Sequence, residues 1–180
     1  MKFIKMHGAG NDYVYIDGFQ QDVSHPEELA VRISDRHFGV GSDGLILILP
    51  SKCADARMRM FNADGSEAQM CGNGIRCVAK YLCDQKAQHS ARLTIETLAG
   101  VLAVDVVVDA DNPAISQVSV NMGQPRLQRE QIPMTGAEQQ QALDVNVEVD
   151  GRIFTVSCAS MGNPHCVVYV EDVENFDVGY

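Results

Sequence analysis

Between Asn73 and Gln85 the chain carries an apolar arc too wide for a surface helix. Ile75, Val78, Ala79 and Leu82 recur at helical spacing, and Cys77 and Tyr81 broaden the stripe. A helix with so much apolar surface must be enclosed by other elements. The segments around it are short and extended, so the enclosure must be sheet. Strands are predicted at Lys2–Met6, Tyr13–Asp17, Leu45–Leu49, Arg57–Phe61, Leu93–Leu98, Val101–Val108, Gln117–Asn121, Val145–Asp150, Arg152–Cys158 and Cys166–Val170. Turns are expected at His7–Asp12, Asp64-Gly65, Gly100, Asn112-Pro113 and Asp150-Gly151, the last joining a hairpin. A shorter helix is expected after Ser24, its cap, with Pro26 and Glu27 in its first turn and Leu29, Ala30 and Ile33 on one face. Residues 124–144, polar and Gln-rich, read as an irregular crossing. Helices and strands do not alternate strictly, which disfavours a doubly wound parallel sheet. The expected class is α+β, a mixed, curved sheet wrapped around a central helix.

Length and charge narrow the function. The 180 residues suffice for a sizeable core, and 46% hydrophobic against 21% charged residues excludes a disordered tail. The longest aliphatic run, Leu45–Leu49, is too short to cross a bilayer. No apolar leader run stands before the first glycines, so a cytoplasmic location is expected, with no membrane partner. A net charge of −10 without a basic cluster argues against nucleic acid. Six cysteines without a C-x-x-C pair read as reduced thiols, most of them small core residues, and no metal site is indicated.

Gly39-Val40-Gly41-Ser42-Asp43-Gly44 matches the dinucleotide fingerprint in letters alone. A helix precedes it and a strand follows, the reverse of what that motif needs, so it reads as a structural turn. In Cys71-Gly72-Asn73-Gly74-Ile75-Arg76 the arginine stands five places after the cysteine, whereas a phosphatase loop wants six. What remains is a cysteine at a helix entrance among glycines. Free N–H groups and the positive dipole end there favour an anion, either a thiolate or a substrate carboxylate. Taken alone, Cys71 is equally well read as a packing residue. His165, in Gly162-Asn163-Pro164-His165 between strands, alone reads as structural. Asn11, Asn62 and Asn163 sit in turns, where asparagine is at home. As a set they offer amides that both donate and accept, suited to a substrate with ammonium and carboxylate groups.

Four blocks together closely resemble the diaminopimelate epimerase family: Lys5–Asp12, Phe61–Glu67, Cys71–Cys77 and Ser160–Cys166, with Val120–Gly123 as a fifth match. The resemblance implies one half of a two-domain fold, each half a curved sheet around a central helix. It implies a cofactor-independent epimerase that interconverts LL- and meso-diaminopimelate, in lysine and peptidoglycan precursor synthesis, with two cysteines as acid and base. By position, Cys71 would donate the proton in the direction from LL to meso. Gly72 and Asn73 would hold the carboxylate through N–H groups, Asn11, Asn62 and Asn163 would grip the substrate, and His165 would assist the reacting centre. The small-molecule substrate is the expected partner, and a homodimer is compatible with the resemblance. The second Cys-Gly-Ser/Thr-Gly segment that the resemblance calls for does not occur in these residues. The expectation is therefore an N-terminal epimerase domain, 1–180, truncated near its C-terminal end and inactive alone. Alternatives are a same-fold racemase of another amino acid, a non-catalytic half-domain that binds a ligand or partner, and a thiol redox sensor.

Overall fold

The computed structural model describes residues 1–85, 90–112 and 116–176, in two compact units, Met1–Met122 and Gly123–Tyr180. In the first unit the elements run β1 (Ile4–Gly8), β2 (Asn11–Asp17), α1 (Pro26–Ser34), β3 (Gly44–Leu49), β4 (Ala56–Asn62), β5 (Glu67–Ala68), α2 (Gly72–Gln85), β6 (Ser90–Thr97), β7 (Gly100–Val108) and β8 (Ser116–Val120). They form one mixed sheet in the order β1-β2-β3-β4-β6-β7-β8, with the short β5 also on β4. The β2–β3 and β4–β6 pairs are parallel and the others antiparallel.

Helix α2 packs on β1 and β2 near one edge of the sheet and on β6, β7 and β8 toward the other. A flat sheet could not reach one helix from both edges, so the sheet curves around it. Its inward stripe joins Tyr13, Tyr15, Ile46, Met58, Met60, Ile95 and Val104 in the main core. The wide arc between Asn73 and Gln85 is thus fully used. Helix α1 packs on the outer face, where Val14, Ile16, Ala30, Ile33, Leu45, Leu47 and Phe61 form a second core. The two cores explain why β3 is apolar throughout: Ile46 and Ile48 face α2 while Leu45 and Leu47 face α1. They also explain why the alternation in β4 stops at Phe61, which is buried on the outer side.

The start of α1 corrects one expectation. Its N-cap is His25, not Ser24; His25 has a left-handed backbone (φ 52°) and makes no side-chain cap. Pro26 at the first helical position bars its predecessor from the right-handed helical region and has no N–H to cap. Glu27 lies 3.6 Å from the His25 ring instead of closing a capping box. The glycine-rich turn near the N-terminus is also tighter than expected. His7 and Gly8 belong to β1 and Asn11 and Asp12 to β2, leaving Ala9 (φ 53°) and Gly10 (φ 85°) as a two-residue hairpin turn.

The second unit is a three-stranded antiparallel sheet, β11 (Pro164–Val168), β10 (Arg152–Ser160) and β9 (Val145–Val149), in that order. Asp150 and Gly151, both at positive φ, make the expected hairpin. The polar crossing covers one face of it: Ile132 and Ala142 are buried against Val156 and Cys158. The last strand begins two residues earlier than expected, so Pro164 and His165 lie within β11 rather than before it. Pro113 of the expected Asn112-Pro113 turn lies outside the described residues.

Candidate active site

Topology gathers one cluster at a single end of the first sheet. Strands β2 and β3 run parallel, and β4 runs against β3 so that Gly44 faces Asn62. The start of β2, the start of β3 and the end of β4 therefore meet, bringing Asn11, Asp43 and Asn62 to one end. Helix α2 starts there as well. A Cβ on Gly8 would lie 2.8 Å from the Asn73 carbonyl oxygen, so only glycine lets β1 close on the first turn of α2. A Cβ on Gly44 would lie 2.1 Å from the Phe61 carbonyl oxygen, which makes glycine obligatory at that meeting point too.

Cys71 is the N-cap of α2. Its carbonyl oxygen accepts the first helical bond from the Ile75 N–H (2.9 Å), and its Sγ accepts from the Gly74 N–H (3.2 Å). The sulfur takes the place that a serine or aspartate oxygen occupies at an ordinary cap. The N–H groups of Gly72 and Asn73 have no acceptor within the helix and remain available at its positive end. The Cys71 thiol donates to Asn11 Oδ1 at 3.5 Å. The Asn73 side-chain oxygen accepts from Arg76.

Asn11 is held from behind. Its Nδ2 donates to Asp43 Oδ2 at 2.8 Å, and that same oxygen accepts the Asp12 N–H at 3.0 Å. With the amide nitrogen so engaged, the amide oxygen is the atom offered to the thiol. Arg36 bridges the two carboxylates, at 2.8 Å from Asp12 and 2.9 Å from Asp43, and Lys5 lies 3.0 Å from Asp12. The Arg36 and Lys5 cations hold the Asp12 carboxyl at about 2, below its ordinary 3.8. Tyr13, buried beside this cluster, has its phenol pushed up to about 12, chiefly by burial and then by the neighbouring Cys71 sulfur.

A pH prediction follows from Asp12. A carboxyl depressed in the folded state contributes stability above its unfolded value and loses it as pH falls through the folded one. Asp12→Asn is therefore expected to lower the thermal midpoint near neutral pH. The gap to wild type should close between pH 3.8 and about 2. Thermal melts across that range check it; a gap constant down to pH 2 would contradict it.

Asn62 lies half-buried at the end of β4, its Nδ2 donating to Ser66 Oγ at 3.0 Å inside the 62–66 turn. Asn163 and His165 belong to the second unit. Asn163 closes the turn between β10 and β11, its carbonyl accepting the Met161 N–H at 3.2 Å, and His165 pairs with Ala159. The residues brought into direct contact are thus Asn11 and Cys71, with Gly72 and Asn73 next along the helix. Asp43, Arg36 and Tyr13 were not singled out from the sequence. Asp43 sits in the turn read there as structural, and its link to Asn11 spans a parallel strand pair. The one available signal is the repetition of turn-favouring residues, Asn11-Asp12 and Asp43-Gly44, where two buried strands begin.

Among the described residues no group of three or more His, Cys, Asp or Glu side chains could hold a metal ion, and no helix is long and apolar enough to cross a membrane.

Comparison with known proteins decides the family. Residues 3–128 match the family model described as diaminopimelate epimerase. The chain belongs to the diaminopimelate epimerase family. It is 48% identical over 176 residues to the diaminopimelate epimerase of Methanococcus maripaludis, covering 98% of this chain. It is 49% identical to that of Acetivibrio thermocellus, over the same share of the chain. In both cases it spans 62% of the relative's length. Among solved structures, a hydroxyproline epimerase from Agrobacterium vitis has a TM-score of 0.66 at 15% identity, over 92% of this chain and 50% of that one. A PhzF-family phenazine biosynthesis protein from Bacillus anthracis has 0.61 at 22%, over 97% and 58%. These two similarities show that the epimerase fold is shared: a curved mixed sheet around a central helix.

Proposed function

We propose that this chain supplies one of the two acid/base thiols of an epimerase that interconverts LL- and meso-diaminopimelate. The carrying observation is the sulfur of Cys71, set between the Gly74 N–H and the Asn11 amide oxygen at the open end of α2. An amino-acid α-proton is very weakly acidic, so the developing carbanion needs fixed dipoles and a positioned acid or base. In this reading the N–H groups of Gly72 and Asn73 bind the carboxylate next to the reacting carbon. The carboxylate takes up charge as the α-proton leaves to a base on one face. In the direction from LL to meso, the Cys71 S–H protonates the other face, its proton aimed by the Asn11 oxygen. Asp43 keeps that amide from turning its nitrogen toward the sulfur. Asn62 and Asn163 grip the rest of the substrate, and His165 assists the reacting centre. Residues 1–180 act as the first epimerase domain, with the opposing thiol on a second one. The reaction needs no organic cofactor, and the meso product serves lysine and peptidoglycan precursor synthesis.

The test is the product of the reading frame that contains these residues, given LL-diaminopimelate in deuterated water. Meso isomer should accumulate by chiral chromatography, with deuterium at the inverted α-carbon, at the same rate with or without pyridoxal phosphate or a chelator. Turnover of a different amino acid with none of diaminopimelate would favour a same-fold racemase instead.

A further inference from the structure

Two cysteines outside this site face each other across a strand pair. Cys158 on β10 is the register partner of Cys166 on β11, close enough that the Cys166 thiol adds to burial in raising the Cys158 thiol. The backbone around them fixes the kind of pair. The Cys158 N–H donates away from β11, to the Ala142 carbonyl at 2.7 Å. Two residues on, Ser160 exchanges both of its backbone bonds with Arg126, at 2.9 Å each, and its partner Pro164 has no N–H to give. Cys158 and Cys166 are therefore a non-hydrogen-bonded pair of an antiparallel ladder. Such pairs bring their Cα atoms to about 4.5 Å, with both side chains on one face. A disulfide accepts Cα separations from about 4.4 Å upward, so the bridge fits without moving either strand far.

The surroundings differ for the two sulfurs. Cys166 is exposed on the edge strand, whereas Cys158 is 7% exposed beneath Ile132 and Ala142. Burial raises the Cys158 thiol, and the Arg129 guanidinium near it acts in the opposite sense. One partner is open to an oxidant and the other is held in reserve beside it.

We infer that Cys158 and Cys166 form a reversible two-electron oxidation site, closed by a hydroperoxide. The Cys166 sulfur attacks the outer peroxide oxygen, the O–O bond breaks, and Cys166 becomes a sulfenic acid as water or alcohol leaves. The Cys158 sulfur then attacks the sulfenic sulfur. The S–S bond forms, the S–O bond breaks, and the hydroxide leaves with the Cys158 proton as water. Two thiols are oxidised by two electrons and one peroxide is reduced by two. A dithiol reverses the step by exchange. The bridge would tie β11 to β10 one residue from His165.

Trypsin can leave both sulfurs in one peptide, 153–180, which has no other cysteine and no lysine or arginine. After hydrogen peroxide treatment of the folded 180-residue chain, that peptide should be lighter by two hydrogens and refuse iodoacetamide. It should give no backbone fragments between 158 and 166 until treated with dithiothreitol. The bridge should form about tenfold or more faster in the folded chain than in urea, because the ladder holds the sulfurs together. In Cys158→Ser, Cys166 should stop as a sulfenic acid that dimedone captures. Two alkylatable thiols after oxidation, a sulfinic acid on Cys166 of the wild type without any bridge, bridging to another cysteine, or equal rates in urea would each overturn the assignment. None of these readouts depends on epimerase activity.

Discussion

Replacing Cys71 with serine in the complete enzyme is expected to abolish epimerisation while leaving the fold at least as stable. A positioned acid or base contributes about 10²–10⁴-fold, and a serine hydroxyl is too weak an acid to replace the thiol. Serine nevertheless suits the other duty of the residue. The Gly74 N–H bonds to the Cys71 sulfur at 3.2 Å, and a serine oxygen is a better acceptor at an N-cap. Alanine would remove both functions, losing the catalytic proton together with a cap worth about 0.5–2 kcal/mol for an oxygen ligand. The two variants therefore separate chemistry from stability: both inactive, with the alanine form melting below the serine form. Chiral chromatography of the reaction and a thermal melt of each protein read the two quantities. Epimerisation by Cys71→Ser within tenfold of wild type would remove Cys71 from the reaction. An alanine variant as stable as the serine one would show that a side-chain acceptor at position 71 does not cap α2.

Much of the scaffold was legible because it rests on local pattern. The arc from Ile75 to Leu82 required enclosure, and α2 is enclosed. Asp150-Gly151 and Asp64-Gly65 are turns whose residues tolerate positive φ, and Gly65, Asp150 and Gly151 adopt it. The entrance position of Cys71 was readable from the glycines around it. What escaped depends on pairing across long stretches of chain. Asp43 reaches Asn11 only because β3 lies parallel to β2, an arrangement that neither strand encodes by itself. Arg36 follows α1 in an exposed turn and looks like surface charge until the same pairing brings Asp12 and Asp43 to it. The facing of Cys158 and Cys166 is likewise a matter of register, invisible in spacing alone. The expected cap at Ser24 gives way to His25 for a local reason, the constraint that Pro26 places on the residue before it.

Residues 1–180 by themselves are expected not to invert LL-diaminopimelate at an enzymatic rate. Inversion without rotation of the intermediate requires a proton to leave one face and another to arrive at the opposite face. In the proposed reaction Cys71 addresses one of them. The neighbouring thiols on α2 are unsuited to the second role: Cys77 and Cys83 are buried in its core-facing stripe, and burial pushes the Cys77 thiol up. Cys53 lies exposed in the segment between β3 and β4, which is the opposite end of the sheet from Asn11 and Asn62. Loss of the second acid or base alone costs about 10²–10⁴-fold, and the donors that a second domain would add to the carboxylate go with it. The bare chain and the complete enzyme should therefore differ by at least about a hundredfold in meso product formed from LL substrate, measured by chiral chromatography at equal protein concentration. Deuterium uptake at the α-carbon separates two ways of being inactive. With meso-diaminopimelate as substrate, exchange with retention would mean that Cys71 reaches the proton on its own face, and no exchange would mean that substrate is not held. Robust inversion by the bare 180 residues would show that a single domain supplies both faces, and the two-thiol reading would fall.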